Sequence, residues 1–174
     1  VTHDWGPVKL WSNDQGKLVD RTQESGLANR LGWFNGIAGR DLDNDGDIDY
    51  VVTNFGLNTK YHASRDKPAL LYYGDFDGTS NNRLLEAEYE SDTLYPVRGK
   101  SCSTQAMPFL ANKFPKFKDF AIASLEQIYT PKRMSEAHRW QANTFESGVL
   151  INNGKGKFQF RALPQIAQIS PGFG

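Results

Sequence analysis

Five aspartates fall at alternate positions in the nine-residue stretch Asp41-Leu42-Asp43-Asn44-Asp45-Gly46-Asp47-Ile48-Asp49. Like charges at that density repel one another, and a bound Ca²⁺ removes the penalty because it accepts about six to eight oxygen ligands in irregular geometry. Alternate spacing lets Asp41, Asp43 and Asp45 point into one concavity, while Gly46 turns the chain without a Cβ clash. The carbonyl of Asp47 can add an oxygen, and the carboxylate of Asp49 can close the shell. The bland alternative is a solvated acidic turn.

The flanks decide which kind of calcium loop this is. An EF-hand needs a helix on both sides and a bidentate Glu at its twelfth position. That position is Val52, and the exit Ile48-Asp49-Tyr50-Val51-Val52-Thr53 is rich in β-branched residues, which predicts a buried strand. The approach, Gly32 to Arg40, is aromatic and small and also predicts a strand. The unit reads as strand, metal loop, strand, and an EF-hand is excluded.

The length of 174 residues suits one domain or part of a larger one. Lys and Arg balance Asp and Glu, so nothing points to a nucleic-acid or membrane surface, and no apolar run is long enough to span a bilayer. Aromatic residues are abundant, as in compact β structures. Cys102 is the single cysteine, so no intrachain disulfide is possible.

Two segments echo each other. Leu10-Trp11-Ser12-Asn13-Asp14-Gln15-Gly16-Lys17-Leu18-Val19-Asp20 and Leu150-Ile151-Asn152-Asn153-Gly154-Lys155-Gly156-Lys157-Phe158-Gln159-Phe160 both read as strand, Asn- and Gly-bearing turn, strand. By this register another Asp-rich loop is expected beyond Gly174, and the chain is expected to be a piece of a longer repeat array. A second acidic turn follows the apolar strand Ala69 to Tyr73. It offers Asp75 and Asp77 at its first and third positions, with Glu86 at the twelfth as a further ligand; the alternative is a degenerate loop without metal. From Ser101 to His138 apolar positions recur at helical spacing. Met107, Leu110, Ala111 and Phe114 form one face, Ala121, Leu125, Ile128 and Tyr129 a second, and Thr130-Pro131 opens a third helix running through Met134, Ala137 and His138.

Gly32-Trp33, Ala38, the Asp41 to Asp49 loop and the Val51-Val52-Thr53-Asn54 strand together resemble the FG-GAP or VCBS repeat of integrin-α-like β-propellers and of the ASPIC/UnbV family of secreted bacterial proteins. Leu10-Trp11-Ser12-Asn13-Asp14 and Leu150-Ile151-Asn152-Asn153-Gly154 are similar to that family's Asn-bearing strand. Asp75-Phe76-Asp77-Gly78, Leu94-Tyr95-Pro96, Met107-Pro108-Phe109-Leu110 and Phe145-Glu146-Ser147-Gly148 resemble a VCBS subgroup with a helical insert. The resemblance implies a mainly β chain, a partial β-propeller of about two blades with a small helical insertion. It carries metal ligation to Asp41, Asp43, Asp45 and Asp49 through side chains and to Asp47 through its carbonyl. The expected organisation is 1–100 as β-blade region with calcium loops, 101–147 as helical insertion and 148–174 as the start of the next repeat.

The expected function is a Ca²⁺-binding, non-enzymatic module for protein or carbohydrate recognition, in an extracellular or periplasmic setting. The rest of a longer chain, or further copies in a ring, would complete the propeller. Two alternatives stay open: a piece of a sugar-active propeller lyase or hydrolase, or a purely structural blade pair. No Ser-His-Asp order, HExxH, CxxC or phosphate loop is present. His3, His62 and His138 read as surface or capping residues, although Tyr61-His62 and Arg65-Asp66 share an inter-strand loop of the kind in which propellers place functional groups.

Overall fold

β-branched and aromatic residues between Gly- and Asn-bearing turns form a series of short strands along this chain, and a computed structural model describes residues 1–173. In order, these are β1 (Asp4–Pro7), β2 (Trp11–Asp14), β3 (Lys17–Asp20), β4 (Leu31–Trp33), β5 (Gly36–Arg40), β6 (Asp49–Thr53), β7 (Ala69–Gly74), β8 (Arg83–Glu90) and β9 (Thr93–Pro96). Five short helices follow: α1 (Lys100–Ala106), α2 (Phe109–Lys113), α3 (Phe117–Ala121), α4 (Leu125–Tyr129) and α5 (Pro131–Glu136). The chain closes with β10 (His138–Ala142), β11 (Gly148–Asn152), β12 (Phe158–Ala162) and a 3₁₀ turn, Gln165–Gln168. The class is therefore mainly β with small helices, and among the described residues no helix is long and apolar enough to cross a membrane.

The strand expected over Gly32 to Arg40 is broken in two. Asn35 leaves the ladder and donates its N–H to the Thr53 carbonyl, and β5 starts at Gly36. The helical stretch is also more divided than its periodicity predicts. Pro108 begins α2, Pro115 separates α2 from α3, and Ser124 starts α4 through a capping box with Gln127. Pro131 does open α5, but Thr130 precedes it at φ 66° with no side-chain cap bond, and His138 belongs to β10.

Contacts divide the residues into two compact units, one formed by Val1–Asp66 with the segment from Gln141 onward, the other by Lys67–Trp140. These limits fall elsewhere than 1–100, 101–147 and 148–174. Composition separates strands from helices, whereas burial joins β7 and β8 to α2 and α4 in one core: Leu70, Tyr72, Leu85 and Ala87 pack with Leu110, Leu125, Ile128 and Tyr129. In that second unit the sheet order is β10-β7-β8-β9, with β7, β8 and β9 forming an antiparallel meander.

The first unit is built on a four-stranded sheet of order β12-β11-β6-β5, antiparallel throughout. Its two hairpins, β5–β6 and β11–β12, are joined by Gly148↔Val52, Val149↔Val51 and Leu150↔Tyr50, so the 67–140 segment interrupts a simple up-and-down meander. The two similar hairpins are both antiparallel, yet β2–β3 stands as its own ribbon while β11–β12 joins the central sheet. Val8, Leu27, Phe34, Val52 and Leu150 form the core. Full burial of a side chain such as Val52 contributes about 1.5–3 kcal/mol.

Trp33 anchors a second cluster. Trp5, Phe55, Tyr61 and Phe145 meet its ring edge to face, with centroids 4.8, 4.7, 4.9 and 5.1 Å away. Aromatic pairs in this geometry each add about 0.5–1.5 kcal/mol beyond area burial. Beside them lies Asn54, fully buried at the end of β6. Its Oδ1 accepts from the N–H groups of Trp33 (3.0 Å) and Phe55 (2.8 Å), and its Nδ2 donates to the carbonyls of Thr144 and Glu146, both at 3.2 Å. The side chain thus makes all four of its available hydrogen bonds and ties β4, the β6 exit and the segment before β11 together.

Candidate metal centre

The acidic loop joins β5 to β6, adjacent strands of one sheet, where Arg40 pairs with Asp49. Its path is fixed by its own carboxylates. Asp41 accepts from the N–H of Asn44 at 2.8 Å and of Gly46 at 3.1 Å, and Asp45 accepts from the N–H of Asp47 at 2.9 Å. Asn44 (φ 63°) and Gly46 (φ 92°) both take the left-handed region, which Asn tolerates and Gly adopts freely. This is the turn that the glycine predicts.

Asp49 is the buried end of the loop, with no exposed surface. One carboxylate oxygen accepts from the Leu42 N–H at 2.9 Å and the other from the Asn152 N–H at 2.8 Å, while Asn152 Nδ2 reaches the Ile48 carbonyl at 3.3 Å. Asp49 therefore fastens the loop to itself and to β11. Sequence reasoning did not reach Asn152, which is remote along the chain and became relevant only through the β6–β11 pairing.

One oxygen from each of Asp41, Asp43 and Asp49 lies within 4.8 Å of the others, and among the described residues this is the only group of three acidic, histidine or cysteine side chains so placed. Asp45 and Asp47 share the loop without joining that cluster. The Asp43 carboxyl is pushed up from its usual range, first by partial desolvation and then by the charges of Asp45, Asp49 and Asp41. Hard oxygen donors crowded by like charge could hold a metal ion. Each oxygen already engaged by an N–H keeps a lone pair for coordination.

The second acidic turn is different. Asp75 receives N–H bonds from Asp77 (3.2 Å), Gly78 (2.7 Å) and Ser80 (3.0 Å), and the Arg133 guanidinium stands 3.6 Å from its Oδ2. Glu86 lies three residues into β8, opposite Leu71, with Arg98 at 3.5 Å. At about 3.4 Å of rise per residue, the strand carries it roughly 10 Å from the turn. Asp75 and Asp77 stay together, Glu86 is not brought to them, and the protein supplies its own cation there in Arg133.

Comparison with protein-family models, with curated proteins and with solved structures finds no match to this chain.

Proposed function

We propose that this protein is a Ca²⁺-stabilised, non-enzymatic recognition module of β-propeller type, working outside the cytoplasm on protein or carbohydrate. The observation that carries the metal part is the convergence of Asp41, Asp43 and Asp49 on a loop clamped to its sheet at both ends. The order β12-β11-β6-β5 supports the blade reading, since a propeller blade is a four-stranded antiparallel sheet. In this reading the ion relieves repulsion among three carboxylates and holds a loop that has few apolar contacts of its own.

The test is thermal unfolding with Ca²⁺ against EDTA. At a Ca²⁺ concentration one hundred times Kd, binding to the folded state alone adds about 2.7 kcal/mol. Asp43→Asn is the variant of choice, because Asp43 is exposed and takes no part in the Asp49 clamp. It is expected to fold and to lose most of the response. An intact protein whose unfolding ignores Ca²⁺ would remove the structural-calcium role, and turnover in a polysaccharide activity screen would replace the recognition role with an enzymatic one.

A further inference from the structure

The first unit carries an open cleft of about 700 Å³. It is bounded by the connector after β3, the loop after β6, the segment before β11 and the edge strand β12. Arg30, Arg65, Glu146, Asn29, Tyr61 and Phe160 are the lining residues that matter.

Arg30 is held in place from several sides. Its guanidinium lies 3.7 Å from the centroid of the Phe160 ring, and its Nη1 is 3.6 Å from Glu146 Oε2 and 3.4 Å from Thr144 Oγ1. A guanidinium carries five N–H donors, so these contacts leave a fork free for a planar, two-oxygen acceptor. Arg65 lines the same cleft, is exposed, and makes no ion pair among the described residues. The two arginines are close enough for the charge of one to act on the other. Burial first, and then the Arg65 charge, lower the Arg30 pKa against the opposing pull of Glu146. Two guanidiniums against one carboxylate leave the cleft with a positive excess.

The remainder of the lining narrows the class of anion. The volume is within the range of small-molecule sites, about 300–1,000 Å³, and exceeds what an inorganic ion fills. The amides of Asn29 and Gln159 are exposed and make no side-chain hydrogen bond among the described residues, while Tyr61 is buried against Trp33 and the Phe160 ring carries Arg30 on its face. Amides for hydroxyl groups and an arginine fork for a carboxylate are together the complement of an acidic sugar.

We infer that this cleft binds a carboxylate-bearing saccharide, with Arg30 as the oriented fork and Arg65 as the second cationic contact. The inference rests on the recognition role proposed above and names its ligand class; it does not depend on the metal.

The experiment is isothermal titration of the intact protein with a glucuronate-containing tetrasaccharide, with its carboxyl-reduced counterpart and with sodium acetate, in Ca²⁺ and in EDTA. The acidic tetrasaccharide is expected to bind at least about tenfold more tightly than the reduced one, as loss of a charge-assisted bidentate contact requires. Arg65→Ala, at an exposed position, is expected to fold and to weaken binding by about tenfold or more, and Arg30→Lys to do so while keeping the charge. Equal affinity for the acidic and reduced sugars, no binding of the acidic one, or unchanged affinity in Arg65→Ala overturns the inference. Acetate binding as tightly as the sugar also overturns it, by reducing the cleft to a simple anion pocket. A Ca²⁺-dependent gain in stability without sugar binding refutes this site alone, and sugar binding without a Ca²⁺ response refutes the metal role alone.

Discussion

Replacing Asn54 by alanine tests the packing argument of the first unit at its most connected point. The side chain is fully buried and satisfies four backbone groups: the N–H groups of Trp33 and Phe55, and the carbonyls of Thr144 and Glu146. A buried polar group stripped of its partner costs about 1–3 kcal/mol. The two carbonyls each keep a second lone pair, so the firm part of the loss is the two stranded N–H groups, about 2–6 kcal/mol. Against the 5–15 kcal/mol typical of a domain, that is a large fraction. Urea unfolding followed by tryptophan fluorescence measures it, since Trp33 sits beside Asn54 and loses its aromatic neighbours on unfolding. Asn54→Asp supplies an internal control. It keeps both acceptors but turns a carboxylate oxygen toward two carbonyls, so it is expected to be severely destabilised at neutral pH and partly recovered in acid, where protonation restores one donor. A cost below about 1 kcal/mol for Asn54→Ala, or a pH-independent Asn54→Asp, would mean that the four bonds do not hold the segment before β11.

Two further outcomes follow from the same geometry. Gly32→Ala places a Cβ 2.6 Å from Asn54 Nδ2, 2.9 Å from Phe34 Cε2 and 3.0 Å from the Thr144 carbonyl, so it is expected to destabilise the first unit by about 1–3 kcal/mol in the same urea assay. In the second unit, desolvation raises the Asp75 carboxyl, but the N–H groups of Ser80, Gly78 and Asp77 outweigh it and hold its pKa below the usual value. A carboxyl depressed in the folded state stabilises above its unfolded pKa, and that contribution is lost as pH falls through the folded value. Acid unfolding of Asp75→Asn is therefore expected to show a shallower loss of stability below about pH 4 than the parent, and identical acid profiles would exclude the effect.

What could be read without the structure is what depends on neighbours along the chain. Alternating carboxylates around Gly46, β-branched residues after the loop, and Asn- and Gly-bearing turns at 13–16 and 152–156 act over a few residues, and β5–β6, β2–β3 and β11–β12 form as expected. Counting positions failed to place Glu86, because a strand beginning at Arg83 rises steeply and takes the side chain away from the turn. Composition likewise drew limits at 100 and 147, whereas burial put β7 and β8 in one core with the helices.

The acidic loop, its flanking strands and the exclusion of an EF-hand were determined by the sequence itself, since ligand spacing and strand propensity are local properties. Only the tertiary structure decided that β6 pairs with β11 across the intervening 67–140 segment, that Asn152 clamps Asp49, and that Arg30 and Arg65 share a cleft with Glu146. Those contacts join residues far apart in the chain. They depend on which apolar faces are buried together and in what register, and no short window of sequence carries that information.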